Sequence, residues 1–325
     1  MRKNPVVAVL VAADEGWPPG LDPLSGEADM RLMNDRDSLA AHLPEADILL
    51  VTDFRSDLLA DCWPATHRIQ WIHATSAGVD ALMIDPIRNS DIPVTNARGI
   101  FDRPIAEFVL GLVLCFAKDF HGSVRYQDNH EWRHRDTERI EGKRALVVGT
   151  GSIGRQIGRL LGAAGLEVTG VARRERTEDP DFDRIHPAEQ LLDLLPDFHF
   201  VIVATPLTDA TRGLFGAEAF RAMSRDARLI NIGRGPIVQT DALVTALKNE
   251  EIAGAGLDVF EQEPLPANHP LWSMRNVLIS AHMAGDVTGW REALSGQFIE
   301  NFRRWRNNEA LHNLVDKQRG YAAGG

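Results

Sequence analysis

Apolar positions along this chain fall into two patterns. Short unbroken runs rich in Val, Ile and Leu occur at Val6–Ala12, Asp47–Thr52, Arg68–His73, Ile92–Thr95, Ala145–Val148, Glu167–Val171, Phe200–Ala204, Arg228–Ile232, Ala253–Asp258 and Val277–Ser280. Runs this short, without polar alternation, predict strands buried on both faces of a parallel sheet. Between them, apolar residues recur at helical spacing in Ser38–Leu43, Ala188–Leu195, Ala217–Met223, Asp241–Asn249 and Gly289–Asn307. Strands alternating with short helices predict an α/β architecture, with a small parallel domain over roughly the first hundred residues. The last helix could return to that domain.

Four stretches break the rhythm. Arg103–Phe120 is apolar on nearly every side, with Pro104 in its first turn, which predicts a helix buried between domains or at a subunit interface. Residues 121–143 are polar, with Trp132 the main apolar anchor, and read as an arm or loop. Gly16–Gly26 is rich in Pro and Gly and reads as a surface loop, and Gly320–Gly325 as a frayed tail.

Composition narrows the class. At 325 residues the chain exceeds one ordinary core, so two domains are expected. A hydrophobic fraction of 44% and a charged fraction of 25% fit a globular enzyme. The net charge of −11 argues against a nucleic-acid surface, which needs a basic stripe. Cys62 and Cys115, far apart in sequence, point to a reducing compartment without a disulfide framework. The start, Met-Arg-Lys-Asn-Pro, lacks the apolar core of a signal peptide, and Phe108–Ala117 is too short to span a bilayer. A cytoplasmic protein with no membrane partner is the expectation. No metal site is expected either.

The candidate chemistry gathers where strands end. Ala145–Val148 runs into Gly149-Thr-Gly151-Ser152-Ile153-Gly154, after which Ile157, Leu160, Leu161 and Ala164 recur at helical spacing. Strand, glycine turn and helix in that order predict a dinucleotide site. Gly149 permits the tight turn, Gly151 the approach of a pyrophosphate, and Gly154 the close packing of helix on strand. The first N–H groups of the helix would face the phosphates. Ligands of an open parallel sheet bind beyond the carboxyl ends of its strands. There the sequence sets Arg173 and Arg174, Thr205, Arg234, Asp258 with Glu263, and His282. An arginine, a carboxylate and a histidine suit hydride transfer to an anionic carbonyl compound.

At this point the chain resembles the D-isomer-specific 2-hydroxyacid dehydrogenases over nearly its whole length. The resemblance rests on Thr75-Ser-Ala-Gly-Val-Asp80, the glycine turn, Ala204-Thr-Pro-Leu-Thr208, Asn231-Ile-Gly-Arg-Gly235, Gly256-Leu-Asp-Val-Phe-Glu-Gln-Glu-Pro-Leu-Pro266 and Ser280-Ala-His-Met-Ala-Gly285. It implies two Rossmann-like or flavodoxin-like parallel-sheet domains with the active site in the cleft between them. Residues 1–100 with 288–325 would form the substrate domain, and 101–287 the dinucleotide-binding domain. It also implies a homodimer, with Arg103–Phe120 contributing to the contact and the 121–143 arm embracing the partner.

Matched by position, Arg234 would bind the substrate carboxylate and keto oxygen through its planar fork. His282 would protonate the oxygen in reduction and act as base in oxidation. Glu263, rather than Glu261, would hydrogen-bond the imidazole, fix its tautomer and raise its pKa. Asp258 would contact the nicotinamide carboxamide, and Thr205, Pro206 and the Ile232 backbone would line the cofactor site with Ser152, Ile153, His282 and Gly285. Ser76, Ala77 and Gly78 would offer backbone N–H groups to the substrate carboxylate. Each has a plainer alternative: a surface arginine, one of eleven histidines, an exposed loop glutamate, a small-residue turn.

The acidic residue that holds the ribose 2′-OH in NAD-specific proteins would fall at Ala172, and Arg173 and Arg174 follow it. Two guanidinium groups suit a 2′-phosphate, so NADP(H) is expected over NAD(H). The alternative is two solvated arginines balancing Glu175, Glu178 and Asp179. Trp290 and Phe54 could shape a substrate side-chain pocket, or Trp290 could anchor the final helix. Glyoxylate, hydroxypyruvate and bulkier 2-oxo acids all fit. The expected reaction is reduction of a small 2-oxo acid to the D-2-hydroxy acid. Its rivals are phosphite dehydrogenase and, from another class, a cofactor-sensing corepressor-like interaction protein on the same scaffold. Formate oxidation is disfavoured because that branch carries glutamine where Glu263 stands.

Overall fold

A computed structural model describes residues 4–54, 58–319 and the backbone of 321–322. The chain divides into two units, Met1–Phe101 with Val287–Gly325, and Asp102–Asp286.

In the first unit, β1 (Val6–Leu10), β2 (Asp29–Met33), β3 (Ile48–Val51), β4 (Trp71–Ala74) and β5 (Val94–Thr95) form a parallel sheet in the order β2-β1-β3-β4-β5. Every residue of β1, β3 and β4 is buried, as their unbroken apolar runs predict. The edge strand β2 has no counterpart in the sequence reading. Asp29 is exposed, Met30 to Leu32 are half-buried, and Arg31 carries its charge outward to Asp29 and Glu45. A strand at a sheet edge needs no continuous apolar run. The Pro- and Gly-rich stretch before it is more than a surface loop, because Leu21 and Leu24 are buried in the core. The helix Trp290–Arg306 belongs to this unit, where Phe298 stacks on Trp71 at 5.3 Å between ring centroids. The Trp71 indole N–H donates to Thr95 Oγ1 at 2.9 Å, and His73 Nδ1 lies 2.8 Å from the same oxygen. Among the tail positions, Tyr321–Ala322 pairs antiparallel with Val315–Asp316, so part of the expected frayed end is ordered; 320 and 323–325 lie outside the described residues.

In the second unit, β6 (Arg144–Val148), β7 (Glu167–Ala172), β8 (Arg184–Pro187), β9 (Phe200–Val203), β10 (Arg228–Asn231), β11 (Gly254–Leu257) and β12 (Val277–Ile279) form a parallel sheet ordered β12-β11-β10-β9-β6-β7-β8. The order reverses at β6, which pairs with β7 on one side and β9 on the other. That reversal opens the crevice in which such sheets bind ligands. The edge strand β8, Arg-Ile-His-Pro, was also unread for want of apolar residues. The helix Asp102–Ala117 packs against the helix Ser152–Ala163.

The polar stretch after it is part helix. Residues Phe120–Asp128 are helical, started by Asp119, whose side chain accepts from Gly122 N–H. Arg135 returns to Asp119, and Arg133 and Arg135 both lie over the Tyr126 ring. Trp132 is fully exposed and anchors nothing within the described residues of this chain. No described helix is long and apolar enough to cross a membrane.

Candidate functional site

The second unit collects its chemistry at the carboxyl ends of its strands. After β6, Gly149 turns with φ 107°, and a Cβ there would come within 2.6 Å of the Ala204 carbonyl carbon at the tip of β9. Only glycine accommodates both the conformation and the approach. A Cβ on Gly154 would overlap the Gly149 carbonyl oxygen, whereas one on Gly151 would meet nothing within 4 Å. Gly151 is the N-cap of the helix Ser152–Ala163 and supplies no side-chain acceptor to its first turn. The first-turn N–H groups, those of Ser152, Ile153 and Gly154, therefore receive no side-chain cap from the N-cap residue, as an anion site requires. This cradle fits a dinucleotide pyrophosphate. Thr205 and Pro206 follow β9, and a Cβ on Gly233 would come 2.9 Å from the Thr205 carbonyl oxygen, so the tips of β9 and β10 are also in close approach.

After β10 the chain passes through Ile232, which is buried, to Gly233-Arg234-Gly235. The buried Asn231 amide braces this turn, accepting from Gly233 N–H and donating to the Arg234 carbonyl, each at 3.1 Å. A Cβ on Gly235 would overlap the Phe260 carbonyl, so the turn lies directly against the segment leaving β11. That segment carries Glu263. Its Oε1 accepts from Phe260 N–H at 2.8 Å, and its Oε2 lies 2.8 Å from Nδ1 of His282. Glu261 faces elsewhere and accepts from Thr240 N–H at the start of the helix Thr240–Lys248.

His282 stands in a left-handed backbone conformation, φ 51°, half-exposed at its side chain. A non-glycine residue at such a φ is strained and persists only where its surroundings hold it. Asp258 does the holding. Its carbonyl accepts from His282 N–H at 2.8 Å. Its buried carboxylate takes Ser280 Oγ at 2.6 Å, Met283 N–H at 2.9 Å and Ala284 N–H at 3.1 Å. Gly285, also buried, closes the turn.

The electrostatics follow from the pairing. The hydrogen bond to Glu263 raises the imidazole pKa against burial and the nearby Arg234 charge, which lower it. Burial works to raise the Glu263 pKa, but the bonds from His282 and Phe260 N–H and the charges of His282 and Arg234 outweigh it, and the carboxyl lies below its ordinary range. An ionised carboxylate only accepts, so Nδ1 carries a proton and Nε2 is the nitrogen left to exchange one.

At the tip of β7, Arg173 and Arg174 are exposed. Two of the acids proposed to balance them have other partners. Glu175 pairs with Arg184, and Asp179 takes a two-pronged contact from Arg155 at 2.7 and 2.9 Å. Arg155 was not singled out in the sequence. The signal was an arginine directly after the third glycine, with two aspartates spaced two apart on the far side of the next strand.

In the first unit, the Ser76–Gly78 loop has its carbonyls committed. Ser76 O accepts from Ala97 N–H, Ala77 O from the buried Asn96 amide at 2.6 Å, and Gly78 O from Ser76 Oγ. Phe54 packs on the first unit's core, and Trp290 lies 6.1 Å from Phe101 with Arg291 over its ring, so Trp290 helps seat the final helix. Among the described residues no cluster could hold a metal ion.

Residues 110–284 match the family described as D-isomer specific 2-hydroxyacid dehydrogenase, NAD binding domain. A glyoxylate reductase of Aeropyrum pernix is 30% identical over 323 residues, covering 94% of each chain. Among solved structures, a D-isomer specific 2-hydroxyacid dehydrogenase from Xanthobacter autotrophicus Py2, in complex with NADPH and MES, aligns with a TM-score of 0.81 at 31% identity, over 98% of this chain and 100% of that one. An NADPH-dependent glyoxylate/hydroxypyruvate reductase from Sinorhizobium meliloti, in complex with NADP and sulfate, gives 0.83 at 26% identity, over 98% and 100%.

Proposed function

The chain belongs to the D-isomer specific 2-hydroxyacid dehydrogenase family, and from that premise we propose that it reduces a small 2-oxo acid to the D-2-hydroxy acid with NADPH as preferred donor. A bound nicotinamide dinucleotide supplies the hydride. His282 donates the proton from Nε2 to the developing alkoxide, and Glu263 keeps the imidazole protonated and oriented. Arg234 holds the substrate carboxylate, and its cationic fork counters charge gathering on the keto oxygen. The Ser76–Gly78 loop offers backbone N–H groups to a carboxylate, a reading supported by the commitment of its carbonyls elsewhere. Asp258 acts through His282 by holding its turn, and its carboxylate oxygens, each with more than one lone pair, retain acceptor capacity for a carboxamide. The observation that carries the reading is the Glu263–His282 pair, within electrostatic reach of Arg234 at the strand tips of a dinucleotide-binding sheet.

The NADPH preference is supported by Ala172 at the end of β7, by Arg173 and Arg174 beyond it, and by the prior commitment of Glu175 and Asp179. Two relatives solved with NADPH or NADP point the same way. Phe120 and Val124, exposed one turn apart on a helix, and the exposed Trp132 support assembly with a second copy of this chain. Sedimentation of a single monomeric species would remove that part. Two separate free cysteines agree with a reducing, cytoplasmic setting.

Initial rates with NADPH and NADH against glyoxylate, hydroxypyruvate, pyruvate, 2-oxoisocaproate and phenylpyruvate test the reaction. Turnover of at least one acid, abolished in His282→Ala, is the expected result. Tight nucleotide binding with no turnover of any acid would instead favour a sensing protein.

A further inference from the structure

Beside the glycine turn lies a cluster of acidic side chains that hydride transfer does not use. Asp179 and Asp181 expose only 3% and 4% of their side chains. Arg155, in the first turn of the helix Ser152–Ala163, reaches both. Its NH1 donates to Asp179 Oδ1 and to Asp181 Oδ2, each at 2.9 Å, and its NH2 donates to Asp179 Oδ2 at 2.7 Å. Arg159 adds a bond to Asp181 Oδ1 at 3.0 Å, and Arg176 lies 3.6 Å from Asp179. Next in the chain, the buried Phe182 sits so near Gly158 that a Cβ there would come within 2.7 Å of its ring. The far end of the segment is closed as well. Arg176 and Ile185 exchange backbone hydrogen bonds at 2.9 Å in both directions, and Glu175 pairs with Arg184. Residues 173–183 therefore form a loop clamped to the helix that carries the phosphate cradle.

We propose that Arg155 is a positioning residue for cofactor choice: by clamping Asp179 and Asp181 it fixes the loop that sets Arg173 and Arg174 at the tip of β7, where a dinucleotide's 2′-phosphate is recognised. The inference rests on the NADPH reading above and deepens it. Two effects act together. The clamp fixes the backbone from which the two arginines extend. It also neutralises buried acids that would otherwise draw those arginines away and repel a phosphate dianion. NADH carries no 2′-phosphate and is indifferent to both.

The test is equilibrium binding of NADPH and of NADH, followed by fluorescence, to the wild-type chain, Arg155→Met, Arg155→Lys, Arg173→Ala/Arg174→Ala and the triple variant Arg155→Met/Arg173→Ala/Arg174→Ala. Arg155→Met is expected to weaken NADPH about tenfold and NADH by less than about twofold, since charged hydrogen bonds of this kind govern roughly one decade of affinity. Arg155→Lys, which keeps the charge and loses the fork, is expected to fall between, and carries the comparison if the Met variant does not fold. In the double-alanine background Arg155→Met should add no further NADPH-specific loss, because the two sites act as one unit. Equal weakening of both nucleotides, or no weakening, overturns the role of Arg155. A wild-type chain that favours NADH, or a preference unmoved by Arg173→Ala/Arg174→Ala, overturns the cofactor reading itself and this inference with it.

Discussion

Nδ1 of His282 lies 2.8 Å from Oε2 of Glu263, and the two groups are displaced in opposite directions, the imidazole upward and the carboxyl downward. Reduction needs the imidazolium, so its rate should fall as pH rises through the elevated His282 pKa, and oxidation should rise through the same value. Reduction should also fall in acid as Glu263 is protonated. Glu263→Gln is expected to abolish that acidic limb and move the alkaline limb of kcat/KM to lower pH. A profile identical to wild type would remove Glu263 from the mechanism.

Asp258 bears on the rate without touching the transferred proton. Its carboxylate takes three donors from the segment around His282. Asp258→Ala strands those donors and releases a residue held at positive φ. A displacement of about 1 Å costs on the order of a hundredfold in kcat, and NADPH and NADH should both bind more weakly as the carboxamide loses its acceptor. Unfolding should also come earlier by about 2–3 kcal/mol, as expected for buried hydrogen-bonding groups left unpaired. A kcat within about twofold of wild type, on the tenfold-per-1.4 kcal/mol scale, would show that the turn holds itself.

Two glycines separate folding from binding. Gly235→Ala would drive its Cβ into the Phe260 carbonyl and force apart the turns that carry Arg234 and Glu263. A loss of about 3 kcal/mol is expected, at the upper end for overpacking, with activity abolished. Gly151→Ala meets no protein atom within 4 Å, so thermal unfolding should match wild type while NADPH and NADH both bind more weakly. Unchanged nucleotide affinity in Gly151→Ala would dissociate this cradle from the pyrophosphate.

His73 is wholly buried, and desolvation drives its pKa down to about 3. It is folded neutral, while an unfolded histidine binds a proton below about pH 6.5. The buried neutral ring thus favours folding above that pH, and the contribution is lost as pH falls from about 6.5 towards 3. His73→Leu should flatten the decline of stability with acid over that window, although it forfeits the Thr95 contact and is less stable at pH 7. Chemical denaturation at pH 7 and pH 5 checks both statements, and parallel declines in the two proteins would exclude His73 as the acid-sensitive group.

Legibility in the sequence followed burial. The central strands and the glycine turn announced themselves because full burial demands an unbroken apolar run and because Gly149 must occupy positive φ. Strands β2 and β8 stayed hidden, since each lies at a sheet edge where Arg31 and Arg184 face solvent and pair with acids. Residues 121–128 read as loop because the helix Phe120–Asp128 buries none of its side chains; its start is set by one aspartate cap. In the site, Arg234, Glu263 and His282 were found through motifs. The bracing of His282 by Asp258 and of Asp179 by Arg155 depends on side-chain direction, which spacing along the chain does not encode.

The helix Trp290–Arg306 has a consequence for how the chain is made. Phe298 and Phe302 pack in the same core as Trp71 and the strands of the first unit, more than 200 residues earlier in sequence. During synthesis the amino-terminal sheet emerges first, but one wall of its core arrives last. The second unit, by contrast, is continuous from Asp102 to Asp286 and closes its own core before that wall exists. The part of the chain born first is thus the part completed last, and it must stay unaggregated on the ribosome with an apolar face waiting for its final helix.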